Sequence, residues 1–301
     1  RILPAAGPVI VLLTFAIWIV LLWGGWTLIF SSAERAIVHG RTQVAAGFWE
    51  RVYYTGYTIF TLGIGDYVPV RPFWQVMTAV ASISGLFLVT FSISYLIPVL
   101  QANTQKRQLA AQIASLGQRP HEIVLNAYDG SNCAALGEHL NALTTELAKL
   151  EQRHLSYPLL HYFHSEDRTE SAALSVAALD EALTTIEHGL APPAQGLSPA
   201  RFHPARRITG RFLGTLAHVF VEPAAEAPSP PSLETLREQG IPVVDDATFR
   251  RRLDALAERR RMLLALVEND GWAWELLEPA RRRGTERQAA SPDASPAVAG
   301  D

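Results

Sequence analysis

The sequence has few of the residues that cross-link a fold or give it a strong charge. Its 301 residues include one cysteine, Cys133, so no disulfide can form within the chain. Only 18% of the residues are charged, and the net charge is −3, so we expect no nucleic-acid partner. No nucleophile elbow, metal-ligand motif or phosphate-binding loop is visible, and we therefore expect no enzyme activity and no cofactor.

Formal charge is missing altogether from two long stretches. Residues 9–30 are uncharged, and as a helix they would extend about 33 Å, against about 30 Å of bilayer hydrocarbon. Residues 72–100 would extend about 44 Å, so this helix must tilt or project from the bilayer. A signal peptide is the alternative for the first run, which is too long for one and lacks a clear cleavage site. The sequence predicts two transmembrane helices, over about 9–30 and about 72–100.

The segment between these runs is too short for a domain. We expect residues 31–47 to form an exposed polar loop. Residues 48–60 are rich in aromatics and predict a helix of about 20 Å, which can enter a bilayer halfway and return. The residues that follow read Thr61-Leu62-Gly63-Ile64-Gly65-Asp66. Glycine adopts positive φ at little cost, so the alternate glycines predict a backbone whose successive carbonyls face one axis.

Carbonyls arranged in this way can replace the water around a dehydrated cation. Thr61 adds a hydroxyl at the inner end of the loop, and Asp66 places a carboxylate at the outer mouth, where it raises the local cation concentration. The side chains at positions 62 and 64 should pack away from the axis. The predicted ion-binding residues are Thr61, Leu62, Gly63, Ile64 and Gly65.

The loop resembles the selectivity filter of pore-loop potassium channels, in which T-x-G-x-G is usually followed by aspartate. The order of helix, pore helix, filter and helix is similar to the two-transmembrane bacterial type. The string TLGIGDYVP also resembles the second filter of two-pore-domain channels. In the two-transmembrane family a hinge glycine follows the second filter glycine by 20 residues, and here that position is Gly85. Pro98 should kink or end the second helix, so both residues are gating candidates.

This resemblance, over about residues 8–101, implies a homotetramer, because one chain supplies only a quarter of a ring of carbonyls. It further implies a multi-pass protein of a bacterial cell membrane that conducts K⁺ passively, contacts membrane lipid and keeps its C-terminal region in the cytoplasm. The sequence begins at Arg1 rather than at a methionine, which leaves room for an upstream segment.

One filter position departs from the family pattern, because Ile64 occupies the place of the usual tyrosine. In the family that ring packs against pore-helix aromatics and hydrogen-bonds to them. The residues that offer an apolar collar instead are Trp49, Tyr53, Tyr54 and Tyr57. Two alternatives to a potassium-selective channel stay open: a weakly selective monovalent cation channel, and a membrane-anchored helical sensor or scaffold with a vestigial pore.

The C-terminal two-thirds shows a different pattern. Leucines at 136, 140, 143, 147 and 150 follow the spacing of one helical face. We expect an all-α membrane protein, in which a pore domain at 1–102 precedes all-helical cytosolic segments at 103–190 and 191–282 and a disordered tail at 283–301. Proline- and alanine-rich stretches at 191–199 and 222–232 are typical of linkers, and the one strand-like run is 240–244.

Three histidines, His154, His161 and His164, lie close together in the sequence and are followed by Glu166 and Asp167. They are weak candidates for a metal or proton sensor. A proline at 158 interrupts any single helix through them, and no strict ligand spacing is present. Scattered histidines without a shared site are the alternative.

Overall fold

Two long helices and a short one form the first part of the chain. A computed structural model describes residues 3–219 and 221–279, so the predicted tail at 283–301 lies outside the described residues. Helix α1 spans Leu3–Ser31, α2 spans Phe48–Ile59 and α3 spans Pro72–Leu116. The described residues are mostly helical, as expected from the sequence.

The apolar surface of the long helices is not covered within one chain. Leu21 on α1 is 67% exposed and Phe87 on α3 is 69% exposed, and many neighbouring large apolar side chains are exposed as well. A core helix of a soluble protein buries such residues. Both helices are long and apolar enough to cross a membrane.

Helix α3 extends beyond the predicted transmembrane segment. It continues for 45 residues, about 68 Å, and passes through Pro98 without ending. The sequence predicts a transmembrane helix over about 72–100 and a polar helical connector over 103–116 that ends at Gly117, and α3 includes both. The boundary predicted between 102 and 103 therefore lies inside one continuous helix. Proline removes one backbone donor, but the remaining hydrogen bonds on either side maintain the helix. Gly117 forms the C-cap.

A small sheet joins the two connections that flank α2. Strand β1, Ile37–His39, pairs antiparallel with β2, Tyr67–Pro69. Ile37 and Val38 are fully buried, so the prediction of an exposed polar loop over 31–47 is wrong at this point. The strand-like run at 240–244 forms no strand and contributes only an isolated bridge between Leu190 and Val243.

The described residues between 102 and 277 share one hydrophobic core, and we call this unit the helical domain. The last turns of α3 enter it through Leu109 and Ile113, which are buried. The core runs without a break across residue 190, where the sequence suggested two segments. Its further helices are α4 (Pro120–Ala127), α5 (Leu136–Ser156), α6 (Ala172–Thr184), α7 (Pro192–Gln195), α8 (Pro199–Val219), α9 (Glu234–Glu238), α10 (Asp246–Asp254) and α11 (Ala257–Asn269).

Helix α6 is the centre of the helical domain. All 13 of its residues are buried, and it packs against α3, α4, α8 and α11. The five leucines of the predicted stripe are all buried on α5, which packs along α8. A helix buried on every side normally lacks charge, but Asp180 and Glu181 lie in the C-terminal half of α6 and pair with arginines from α8 and α11.

The two stretches predicted as linkers are part of this packing. The stretch at 191–199 contains α7, in which Ala194 is buried. The stretch at 222–232 is hydrogen-bonded to α11, because Arg260 donates from Nη1 to the Pro228 carbonyl at 2.9 Å and from Nη2 to the Ser229 carbonyl at 2.7 Å. These contacts anchor backbone that belongs to neither a helix nor a strand.

Candidate functional site

Helix α2 positions the glycine loop by docking on α1. Its first turn is capped, since the Gly47 N–H donates to the Glu50 carboxylate at 2.7 Å. The Trp23 indole donates to the Val52 carbonyl at 2.8 Å, and Arg51 donates from Nη2 to the Glu34 carbonyl at 2.6 Å, just beyond the end of α1. Sequence reasoning missed both contacts, because each joins residues that are far apart in the chain.

The opposite face of α2 packs against an aromatic cluster shared with α1 and α3. Tyr54 and Phe30 are buried, with ring centroids 5.2 Å apart in an edge-to-face arrangement. The Tyr54 hydroxyl hydrogen-bonds to Thr78 on α3. Helix α2 is therefore fixed between the two long helices, and the loop that follows it begins from a rigid support.

The backbone of the loop has positive φ at every second residue. The values are +58° at Thr61, +60° at Gly63 and +85° at Gly65. A methyl group added to either glycine would meet nothing within 4 Å in the single chain, so φ rather than space accounts for the glycines. The positive φ of Thr61 was not expected, because a β-branched residue rarely adopts it. Alternation of this kind turns successive peptide planes so that their carbonyls can face the same side.

Hydrogen bonds hold both ends of the loop. At its start the Leu62 N–H donates to the Tyr57 carbonyl at 2.8 Å. At its end the Gly40 N–H donates to the Asp66 carbonyl at 2.8 Å, and the Tyr57 hydroxyl donates to the Tyr67 carbonyl at 2.7 Å. A single tyrosine on α2 thus contacts the chain on both sides of the glycines.

The side chains within the loop are open in the single chain. Leu62 is 67% exposed and Ile64 is 49% exposed. Of the four aromatics considered as a collar for Ile64, Tyr54 and Tyr57 direct their hydroxyls to Thr78 and to the Tyr67 carbonyl. The other two, Trp49 and Tyr53, are 78% and 42% exposed. Apolar side chains that remain this exposed indicate a surface for another chain or for lipid.

Gly85 lies where α3 crosses the end of α2. A Cβ at this position would approach the Ile59 carbonyl oxygen to 2.0 Å, so no larger residue fits without moving a helix. The glycine thus has a packing role, at the position where the sequence suggested a hinge. Helix α3 is continuous through Gly85 and through Pro98.

The three histidines each make their own contacts in the structure. His154 is buried in the helical domain, where its Nδ1 lies 3.0 Å from the Leu150 carbonyl and its ring meets Phe212. His164 instead lies 2.8 Å from the Asp270 carboxylate. Within residues 3–219 and 221–279 no group of three or more His, Cys, Asp or Glu side chains could hold a metal ion. His154, His161 and His164 therefore do not form a common metal site.

The buried His154 predicts that stability depends on pH. Burial, helped by the positive charge of Lys106, lowers the pKa of His154 from 6.5 to about 4. Between these values the unfolded chain binds a proton that the folded chain excludes, so stability falls as pH falls from about 6.5 to about 4, by roughly 3 kcal/mol. Thermal melts of the detergent-solubilised protein across this range should show Tm falling with pH.

A matched pair of variants identifies the source of that slope. His154→Leu should reduce the dependence of Tm on pH between 6.5 and 4, and part of it should remain because burial also lowers the pKa values of His121, His161 and His188. His203→Leu, at an exposed histidine of α8, should leave the slope unchanged. A slope in His154→Leu equal to that of the wild type would contradict the assignment.

Comparison with known proteins extends these observations. A family model described as "Ion channel" matches residues 10–102, the region from α1 through the membrane-length part of α3. A protein of Bacillus subtilis (strain 168), described as "Uncharacterized membrane protein YdjJ", is 37% identical over 282 residues, which is 93% of this chain and 82% of the relative. No solved structure matches. The similarity to the relative therefore includes the helical domain as well as the glycine loop.

Proposed function

This chain belongs to the pore-loop ion-channel family, and from that premise we propose that it is a potassium-selective channel. Four copies surround one pore, and K⁺ passes down its gradient through a filter of backbone carbonyls. The permeant ion binds to the carbonyls of Thr61, Leu62, Gly63, Ile64 and Gly65, and Asp66 lies at the outer mouth.

One observation supports this proposal more than any other, namely the alternation of positive φ at Thr61, Gly63 and Gly65. A simple glycine hairpin between two membrane helices needs one or two positive φ values at its turn. A filter needs them at every second residue, because each carbonyl must turn towards the same axis to replace an ion's hydration shell. The anchoring of both loop ends by Tyr57 supports the same conclusion, since it keeps the intervening carbonyls in place.

The tetramer follows from the geometry of ion binding. One loop supplies carbonyls on one side of an ion only, whereas a dehydrated K⁺ requires a ring of them. The exposed side chains of Leu62 and Ile64 then pack against neighbouring copies, and the remaining apolar faces of α1 and α3 contact lipid. The chain enters the membrane from the outer side as α2 and returns to that side through the filter loop.

The inner ends of the α3 helices form the gate in this arrangement. Both termini lie in the cytoplasm of the cell, so the helical domain lies below the pore and modulates its opening. Gly85 and Pro98 are the gating candidates on α3. The continuous helix from the membrane to Leu116 supports this role, because a movement of the helical domain reaches the inner end of the pore without an intervening loop.

Two measurements on the purified full-length protein test this proposal. Native mass spectrometry in detergent should give four copies of the chain, and liposomes containing the protein should release K⁺ down its gradient. A stable monomer or dimer would contradict the pore. A tetramer without flux under any gradient would favour the alternative of a helical scaffold with a vestigial pore.

A weakly selective cation channel is the second candidate, and the residue at position 64 favours it. Isoleucine cannot donate the hydrogen bond that the family's tyrosine donates, and the hydroxyl of Tyr57 is engaged with the Tyr67 carbonyl. We expect Ile64→Tyr to raise the permeability ratio of potassium to sodium by about tenfold, the effect of roughly one net hydrogen bond. Bi-ionic reversal potentials measure this ratio.

The control for this variant is Ile64→Phe, which adds the ring without the hydroxyl. Its permeability ratio should stay close to that of the wild type. Equal ratios in conducting Tyr and Phe variants would mean that the hydroxyl does not brace this filter.

A further inference from the structure

A short segment of the helical domain contacts both long helices at the end away from the glycine loop. We call residues 157–164 the coupling loop; its central turn is the 3₁₀ helix Pro158–Tyr162. Helix α2 docks on α1 near Trp23, whereas the coupling loop docks near Gly7, about 24 Å further along the same helix. The loop therefore lies where the pore of the proposed channel would narrow at its inner end.

Phe163 occupies the seam between α1 and α3. It is 3% exposed and packs with Val11 of α1 and Val99 of α3, both of which are buried. Its ring also lies directly against Gly7, where an added Cβ would come within 2.6 Å of a ring carbon. Tyr157, at the other end of the coupling loop, meets Tyr95 of α3 edge-to-face at 5.9 Å.

The backbone of the same residue is fixed to α3. Lys106 is buried and donates from Nζ to the Phe163 carbonyl at 2.8 Å. A buried ammonium group needs such a partner, because an unpaired charge in the interior is costly. Side chain and carbonyl of Phe163 thus contact α3 at two positions about two turns apart, Val99 and Lys106.

The opposite side of the coupling loop is tied to the helical domain. Leu160 is fully buried in its core. The next residue after Phe163, His164, contacts one oxygen of Asp270 at 2.8 Å, and Ser171 donates to the other at 2.9 Å. Asp270 is the first residue after α11. A displacement of α11 would therefore move Asp270, then His164, and so Phe163.

We propose that Phe163 is the residue through which the helical domain sets the opening of the pore, an inference that rests on the proposed function. Helix α3 is covalently joined to the helical domain, but α1 is not. A rigid movement of the helical domain can therefore shift α3 relative to α1 only if the seam at Phe163 slides or separates. The contact of Phe163 with α1 and α3 therefore differs between the open and the closed position of the gate. Because of this difference, a change elsewhere in the helical domain can favour one position over the other.

Single-channel recording of Phe163→Ala tests this role. Loss of the ring removes the seam contact and should change open probability about tenfold or more, equivalent to about 1.4 kcal/mol, while unitary conductance and the potassium-to-sodium ratio stay at wild-type values. Tyr162→Ala removes the neighbouring ring, which is 46% exposed, and should gate as the wild type does. An open probability of Phe163→Ala within twofold of the wild type would overturn the proposal.

A double-mutant cycle gives a second, independent test. Gly7→Ala adds a methyl group against the Phe163 ring and should also alter open probability, but it should have no effect in a Phe163→Ala background, where the space is free. Additive effects of the two substitutions would contradict a shared seam.

Hydrogen exchange separates this inference from the proposed function, because it needs no conduction. Phe163→Ala should increase exchange at the inner end of α1 around residues 9–15 and leave the α2 region unchanged, whether or not the protein conducts. Unchanged exchange there would refute the seam, while altered exchange in a protein without flux would refute the channel and retain the seam.

Discussion

Gly65→Ala should abolish potassium flux without preventing folding or membrane insertion. Gly65 has φ of +85°, and a methyl group there opposes the left-handed conformation by roughly 1–2 kcal/mol in each subunit of the proposed tetramer. Because the space around the missing Cβ is empty in one chain, the substitution acts on the dihedral angle. The backbone then relaxes towards negative φ and turns its carbonyl away from the axis. Flux from potassium-loaded liposomes measures the loss.

Gly240→Ala is the matched control for this variant. Gly240 also has positive φ, +73°, and an empty space around its missing Cβ, but it lies in the helical domain after α9. The two substitutions should cost similar strain, and the Gly240 variant should conduct as the wild type does. Wild-type flux through a folded Gly65→Ala protein would rule out the filter assignment.

Arg260→Ala should lower the free energy of unfolding by about 3–5 kcal/mol. Arg260 is 3% exposed and binds Glu181 through two nitrogens, at 2.8 and 3.1 Å. Its removal leaves the buried Glu181 carboxylate without its guanidinium and also frees the carbonyls of Pro228 and Ser229. The two nearby arginines, Arg206 and Arg259, pair with Asp180 and therefore do not replace Arg260 as the partner of Glu181. Thermal or denaturant unfolding of the solubilised protein measures the change.

Two further variants separate the charge effect from packing. Arg250→Ala, at an exposed arginine of α10, should change stability by no more than about 0.5 kcal/mol. The double variant Glu181→Leu with Arg260→Leu should recover much of the lost stability, because it leaves no buried charge unpaired. If the double variant is as unstable as Arg260→Ala, the hydrogen bonds to Pro228 and Ser229 account for the loss instead.

Much of the membrane part follows from local sequence. The absence of charge over residues 9–30 and 72–100 is sufficient to predict two long helices, and the structure has α1 and α3 there. The alternation of glycines at 63 and 65 likewise predicts a backbone with repeated positive φ. Such features depend on each residue's own conformational preferences, so they can be read without knowledge of the fold.

What the sequence could not predict depends on residues that are distant in the chain. Strand β1 is three residues long and forms only because β2 pairs with it beyond α2. The burial of Glu181 requires Arg260, which lies 79 residues later. In the sequence, Phe163 is one of several aromatic residues in a histidine-rich stretch. Its position against Gly7 and Val99 depends on tertiary packing. Local propensity carries no information about such contacts, which form only when the core assembles.

In the proposed channel, four copies of this chain form a potassium-selective pore through the loop at residues 61–65. Reversal-potential recordings from the purified full-length protein in a planar bilayer, with potassium on one side and sodium on the other, test it most directly. We predict unitary currents whose reversal potential lies far from zero, with the sign that opposes potassium flow out of its compartment, and that disappear in Gly65→Ala but persist in Gly240→Ala. Currents that reverse near zero would contradict potassium selectivity, and currents that persist in Gly65→Ala would contradict the loop as the path of the ions.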